Sequence, residues 1–251
     1  MKKKIIGLIP TRLNSTRLPQ KALMEIEGMP LVIHTYKRAK LSKLLDDVFI
    51  CCDDKKIAKI ASKFGAKAVL TSKNHQNGTE RICEAYTKIE KKYKFDFIVD
   101  IQGDEPLISP FHIDKVISAH IKNKNADIIL PTLKVKRTNN TNIVKVVSNK
   151  LKEVMYISRA NIPFEFKTDS KFHDKHLSII SFKPEALKKY SSFEKSKYEL
   201  IEDVELLRAL EIGLKIKTIS LKGDSFSVDI FDDLVKARKK IKLDKIYKLY
   251  K

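Results

Sequence analysis

Two short segments carry residue types suited to handling a polyphosphate. Thr11 to Lys21 reads TRLNSTRLPQK and gathers Arg12, Arg17 and Lys21 around Asn14, Ser15 and Thr16. A triphosphate needs several cations and hydrogen-bond donors converging on it. This loop offers both, without the glycine-rich form of a P-loop or of GxGxxG. The same spacing fits an ordinary solvated basic loop. The second segment is Gln102-Gly103-Asp104-Glu105-Pro106, directly after an apolar run. A carboxylate at a strand end, beside a glycine that admits a ligand closely, suits a magnesium ion bridging to phosphate oxygens. Gly, Asp and Pro are equally the residues of a plain turn. A third acidic point is Asp229, in Ser-Val-Asp. Mg²⁺ is often held by one or two carboxylates plus substrate phosphates, so Asp104 and Asp229 form a pair if the fold joins them. His34, His112 and His120 lie in helical patterns and read as packing or surface residues. Cys51, Cys52 and Cys83 read as core, since their number and spacing suit neither a disulfide framework nor a zinc site.

The elements that must position these loops follow from hydrophobic patterning. Lys4 to Pro10, Asp47 to Cys52, Lys67 to Thr71 and Phe95 to Ile101 are apolar runs that read as strands. Helical spacing lies between them at Pro30 to Leu41, Asp54 to Phe64 and Gly78 to Tyr93, and again at His112 to Lys122. Such alternation implies βαβ units and a mostly parallel sheet, with ligands beyond the carboxyl ends of the strands. After about Ala126 the pattern becomes strand-rich, with runs at Ile128 to Val135, Ile143 to Ser148 and Glu153 to Ser158. Glu165 to Lys175 is polar and reads as a mobile loop. Helix returns over Tyr198 to Ile212, ended by Gly213 as a C-cap. Leu214 to Leu221 reads as a strand, and Asp232 to Ile241 as a closing helix with two acids in its first turn.

The chain has 251 residues, with 51 Lys and Arg against 31 Asp and Glu. A hydrophobic content of 43% supports a sizeable core and excludes a disordered segment. No stretch approaches a membrane span, and the apolar run after Lys2-Lys3-Lys4 is too short for a signal peptide. A soluble cytoplasmic protein without membrane insertion is the expectation. The net charge of +20 comes mostly from lysines spread along the chain, with only eight arginines. That spread reads as general basicity favouring small polyanions rather than as a specific nucleic-acid site.

Taken together, the motifs are recognisable. PTRLNSTRLPQKAL, HQNGTERICEA, VDIQGDEPLI, NIVKVV, YISRANIPF, IEDVELLRALEIG and VDIFDDL occur in this order. The chain resembles the 3-deoxy-manno-octulosonate (Kdo) cytidylyltransferases from Ile5 to about Leu234. The resemblance implies a Rossmann-like nucleotidyltransferase α/β fold over residues 1–251, with a mostly parallel central sheet. A smaller strand-rich lobe at about 127–185 would serve sugar binding and homodimer formation. It also implies the reaction of CTP with an ulosonic acid to give the CMP-sugar and pyrophosphate, with Mg²⁺ offsetting charge, for surface polysaccharide synthesis. Carried over by motif, Arg12 and Lys21 match triphosphate ligands, supported by Ser15 and Arg17. Gly78, Thr79 and Arg81 fall near the cytidine, Gln102 beside the reacting groups, and Asp104 and Asp229 on the metal. Arg159, His176 and Glu205 match the sugar-acid pocket, with Arg159 and His176 facing the carboxylate.

The departures lie on the sugar side. Where the family has a run like HLGIYGYR, this chain has His176-Leu177-Ser178-Ile179-Ile180-Ser181-Phe182-Lys183, and the family's late Glu-Gln is Glu205-Leu206. Loss of the tyrosine and the amide raises the alternative of a different or modified ulosonic acid as acceptor. The alternative of another class is an inactive nucleotide-binding protein, against which stand the intact Arg12, Lys21, Asp104 and Asp229.

Overall fold

The structure, a computed structural model, describes residues 2–251. The near-continuous apolar run at the start forms β1, Ile5–Thr11, buried except at its last residue. A tight hairpin follows, with β2 at Glu25–Ile26 and β3 at Met29–Pro30. Its two turn residues, Glu27 and Gly28, have φ of 49° and 75°, the left-handed pair that suits the twist of a two-residue hairpin. Helix α1 spans Leu31–Lys40, strand β4 Asp47–Cys52, α2 Lys55–Lys63 and β5 Ala68–Leu70. Helix α3 spans Gly78–Ile89, β6 Phe97–Ile101 and α4 Pro110–Lys122. Side chains that stop the backbone competing elsewhere start two of these helices: Asp54 accepts from the N–H of Lys56, and Asn77 from that of Glu80.

Next come β7, Ile128–Lys136, β8, Lys145–Ser148, β9, Val154–Ser158, β10, Phe172–His176, and β11, Ile179–Phe182. Helices α5, Pro184–Ser191, α6, Lys197–Glu202, and α7, Leu206–Glu211, precede β12, Ile216–Leu221. Helix α8, Phe231–Leu243, closes the chain with Asp232 and Asp233 in its first turn.

Two compact units result. The described chain up to Asp114 together with Ser225 onward forms the first, and Lys115–Asp224 forms the second. In the first, β5, β4, β1 and β6 lie side by side in that order, every pair parallel. All of β6 is buried, as expected of a parallel strand covered on both faces. Cys51 and Cys52 on β4 are fully buried and Cys83 on α3 nearly so, as their core reading requires. His34 and His112 are likewise packed inside, as is His120 in the second unit.

In the second unit, β7 is the organising strand. It pairs antiparallel with β11 at Ile128 and Ile129 and with β10 from Thr132 to Lys136. Along its other edge β12 runs parallel, from Ile216 opposite Ile128 to Leu221 opposite Leu133. Strand β8 pairs antiparallel with β10 and β9. The stretch 127–185 falls inside this unit.

Two sequence expectations change. Glu165 to Lys175 is not wholly loop, because Phe172–His176 is a strand. Its polar composition hides a strand that β7 and β8 hold from both sides; pairing overrides local propensity here. The helix expected from Tyr198 to Ile212 is broken in two. Asp203 adopts φ 50° and caps α6 through its N–H to the carbonyl of Glu199. Gly213, at φ 77°, does end α7. Among the described residues, no helix is long and apolar enough to cross a membrane.

Candidate active site

The basic loop leaves the carboxyl end of β1 and is fixed at three places. The N–H of Leu13 donates to Asp53 Oδ1 at 2.9 Å. Lys56 Nζ donates to Gln20 Oε1 at 2.8 Å. Leu18, 5% exposed, packs with Ile26, Leu31, Val228, Leu234, Ala237 and Ile241. With its apolar residue anchored, the loop turns Arg12, Asn14, Thr16 and Arg17 to solvent, with Ser15 half-buried. No ion pair engages Arg12 among the described residues.

The turn after β6 is pressed against the end of β1. A Cβ on Gly103 would lie 2.7 Å from the carbonyl oxygen of Pro10, so only glycine fits. That contact presents Asp104. The N–H of Val228 donates to the carbonyl of Asp104 at 2.9 Å and brings Asp229 alongside. Asp233, in the first turn of α8, accepts from the N–H groups of Asp229 and Ile230 at 3.2 and 3.3 Å. Lys21 Nζ then lies 2.7 Å from Asp104 Oδ2 and 3.3 Å from Asp229 Oδ1. Arg17 Nη2 is 2.9 Å from the same oxygen of Asp229. The residues singled out in three distant stretches of sequence therefore meet.

Two carboxylates whose oxygens converge on one cation form the hard oxygen set that Mg²⁺ accepts. Among the described residues, no cluster of three or more His, Cys, Asp or Glu is arranged to hold a metal. Asp104 and Asp229 are the residues that would hold such an ion beside a bound phosphate.

Helix α3 borders the same place. A Cβ on Gly78 would stand 3.2 Å from Pro10 Cγ and 3.3 Å from Gln102 Nε2. Gln102 Nε2 itself donates to Asp100 Oδ2 at 2.9 Å. Thr79 is buried. Arg81, 3% exposed, donates from Nη1 to Thr71 Oγ1 at 2.7 Å and to the carbonyl of Ser72 at 3.1 Å, with Asp53 at 3.8 Å. Its guanidinium is spent on holding the loop after β5. One and two turns further along the helix, Glu84 and Lys88 do the same. Glu84 accepts from the N–H of Ser72 at 2.8 Å, from Lys88 Nζ at 2.7 Å and from His75 Nε2. Lys88 also donates to the carbonyl of Leu70 at 2.7 Å. Burial pushes the Glu84 carboxyl up, but the bonds from Lys88, Ser72 and His75 outweigh it and hold it at about 2. Asp53 and Glu84 were not singled out from sequence. Asp53 carried the signal that marked Asp104, an acid directly after a buried strand; Glu84 carried only its spacing from Arg81 and Lys88.

The residues expected on the sugar side lie in the second unit. Arg159 donates from Nε to the carbonyl of Glu202 at 2.8 Å, from Nη2 to that of Asp203 at 3.0 Å and from Nη1 to that of Thr141 at 3.2 Å. Its own N–H and the Ser158 hydroxyl bind the Glu202 carboxylate. Arg159 therefore sets the turn between α6 and α7, where Glu205 stands at the N-cap of α7, and its Nη2 also lies 3.6 Å from Asp203 Oδ2. Lys145, 1% exposed, donates to the carbonyls of Arg159 and Asn140 at 2.6 and 3.0 Å. Burial and the nearby Arg159 charge lower its pKa. At the end of β10, burial, Lys175 and Arg159 push His176 down to about 4, so it is neutral near pH 7 and offers an N–H rather than a charge. Ile180 and Leu206 are 6% and 2% exposed. Ser181 Oγ lies 2.7 Å from His120 Nδ1.

A basic loop at the end of β1, closed against one carboxylate after β6 and another just before α8, gathers the charges that nucleotidyl transfer calls for. The chain belongs to the cytidylyltransferase family, which it matches over residues 6–216. It is 40% identical to the 3-deoxy-manno-octulosonate cytidylyltransferase of Chloroherpeton thalassium, over 94% of this chain and 96% of that one. The mitochondrial enzyme of the same name from Arabidopsis thaliana is 38% identical, over 93% and 81% of the two chains. A solved CMP:2-keto-3-deoxy-manno-octonic acid synthetase complexed with CTP superposes with a TM-score of 0.89 at 28% identity, covering 96% of this chain and 99% of that one. A cytidylyltransferase from Leptospira borgpetersenii shares the fold, with a TM-score of 0.67 at 20% identity over 96% and 88% of the chains.

Proposed function

We propose that this enzyme transfers CMP from CTP to Kdo, releasing pyrophosphate and supplying an activated sugar for surface polysaccharide. The observation that carries the reading is the convergence of Lys21, Asp104 and Asp229 within 3.3 Å. In the reaction the anomeric hydroxyl oxygen forms a bond to the α-phosphorus. The bond to the bridging oxygen breaks, pyrophosphate leaves with the electron pair, and the hydroxyl proton passes to solvent. Arg12, Arg17 and Lys21 neutralise the triphosphate, and Ser15 donates to it. Preorganised cations act most strongly where charge builds in the transition state. Mg²⁺ at Asp104 and Asp229 supplies electrostatic stabilisation of the phosphates. Gly78 and Gln102 line the nucleotide side, with Thr79 and Arg81 holding the wall behind. Arg159 and His176 donate to the sugar carboxylate, and Glu205 accepts from a sugar hydroxyl.

The enzyme works as a homodimer joined through the second unit, where Phe164 and Phe166 are 83% and 84% exposed and Phe172 is 50% exposed; sedimentation of a Phe164→Asp variant checks this. A cytoplasmic location follows from dependence on the CTP pool. No specific nucleic acid takes part. The deciding experiment measures pyrophosphate release with CTP, Mg²⁺ and a panel of sugar acids. Turnover with Kdo and not with other sugar acids is expected; preference for another acid would overturn the assignment.

A further inference from the structure

We propose that Lys21 gates the divalent-cation site: its ammonium bridges Asp104 and Asp229 until a nucleotide triphosphate draws it onto phosphate, and only then do the two carboxylates take the metal. The inference rests on the metal-dependent reading above and adds an order of events to it. Lys21 Nζ sits 2.7 Å from Asp104 Oδ2 and 3.3 Å from Asp229 Oδ1. A divalent ion held by these two carboxylates would draw on the same oxygens. The ammonium and the ion would therefore compete for the same lone pairs.

The local charge balance points the same way. The two carboxylates face two cations, because Arg17 Nη2 also lies 2.9 Å from Asp229 Oδ1. A neutral set offers a dication little net attraction, and inserting one would force the ammonium out against its own charge. A triphosphate reverses this. It offers several negative charges to Lys21 and Arg17, and their transfer leaves both carboxylates uncompensated.

The mechanics are simple. The backbone at Lys21 is fixed by its N–H to the carbonyl of Leu18 at 3.1 Å, by the left-handed Gln20 before it (φ 53°) and by the burial of Leu18. Only the flexible four-carbon stem has to swing. Arg17, with 60% of its side chain exposed, is equally able to move. Arg12, exposed and outside the carboxylate cluster, stands ready as a first contact for the incoming phosphates.

The test is Mn²⁺ binding to the full-length protein by electron paramagnetic resonance, with no nucleotide present. Wild type should bind weakly. Lys21→Met, which keeps the stem and removes the charge, should bind about tenfold more tightly or better, the scale of one nearby charge. Adding Asp104→Asn to Lys21→Met should abolish that gain, and Lys21→Arg should stay closed like wild type. If Met disturbs the loop, judged by the melting temperature, Lys21→Gln replaces it. Equal Mn²⁺ affinity in wild type and Lys21→Met overturns the gate. A separate arm uses protein saturated with α,β-methylene CTP. If Asp104→Asn leaves its Mn²⁺ affinity unchanged, the metal reading itself falls, and the gate falls with it. If Asp104→Asn weakens it while Lys21→Met changes nothing in the nucleotide-free protein, the metal reading stands and the gate alone is lost.

Discussion

The N–H of Val228 donates to the carbonyl of Asp104 at 2.9 Å. This one backbone bond joins the turn after β6 to the segment before α8 and brings the two carboxylates onto one cation. Asp104→Asn or Asp229→Asn should therefore lower kcat about a hundredfold or more, because each would remove half of the proposed metal-binding pair. Folding should survive, since the Val228 bond uses no side chain. Steady-state rates at saturating Mg²⁺ check this; near-full turnover in both variants would remove the pair from the chemistry.

Glu84 should act on nucleotide binding rather than on chemistry. It ties Ser72 and His75 to α3, beside Gly78, without reaching the phosphate loop. Glu84→Gln should raise KM for CTP several-fold and leave kcat within about twofold, the pattern of lost uniform binding. A carboxyl held at about 2, against 4.5 ordinarily, stabilises the fold above pH 4.5. That contribution is lost as pH falls from there through about 2. A carbon-detected NMR titration of the side chain should find its midpoint well below 4.5.

Two of the suppressed histidines, His120 and His176, act with the same sign at a higher pH. Burial pushes His120 down to about 4, as it does His176. In the unfolded chain each takes up a proton near its ordinary value of 6.5, so the unfolded state binds more protons between the two values. Stability should fall as pH drops from 6.5 toward 4 and be unaffected by these groups above 6.5. Urea midpoints across that range, compared in His120→Asn, measure the share.

A buried ion pair holds the second unit. Arg208 and Glu199, 1% and 4% exposed, meet through two bonds at 2.6 and 2.7 Å. The guanidinium also lies 4.3 Å from the centre of the Tyr190 ring and donates to the carbonyl of Phe193 at 3.1 Å. Removing one charge strands the other, so Glu199→Gln should cost about 3–5 kcal/mol in denaturant unfolding. Arg208→Lys should not rescue, because the two-pronged geometry is lost.

Ile180 and Leu206 bear on the acceptor less directly than their sequence positions suggest. Both are buried, at 6% and 2% exposure. Ile180→Tyr with Leu206→Gln forces a larger ring and an amide into packed space, which should cost about 1–3 kcal/mol or more. A fall in melting temperature without improved kcat/KM for Kdo is expected; a selective gain for Kdo would show that the two positions open onto the sugar.

Much of the first unit was legible because parallel strands covered on both faces read as plain apolar runs. β1 and β6 announce themselves, and the loops beyond their ends carry Lys21 and Asp104. The meeting of Asp104 with Asp229 was not legible in their spacing and was expected only through the family resemblance. It depends on a backbone bond and on Leu18 and Val228 sharing one apolar cluster, neither of which has a sequence period. β10 was hidden because its polar residues are held by neighbours on both sides. The break at Asp203 was hidden because neither Gly nor Pro marks it; the Arg159 guanidinium holds it from a distant strand. Arg81 falls near the cytidine by resemblance, and no sequence pattern marks its bonds to Thr71 and Ser72.

The thiols of β4 give the protein a reporter of its own breathing. Cys51 and Cys52 are fully buried. Burial drives the first well above the ordinary thiol range and the second up to about 11. A thiol that is shielded and protonated does not alkylate. Alkylation then proceeds only when the central sheet opens, and the rate at which iodoacetamide modifies the β4 peptide becomes a clock for how often nucleotide-loaded and empty enzyme expose that strand.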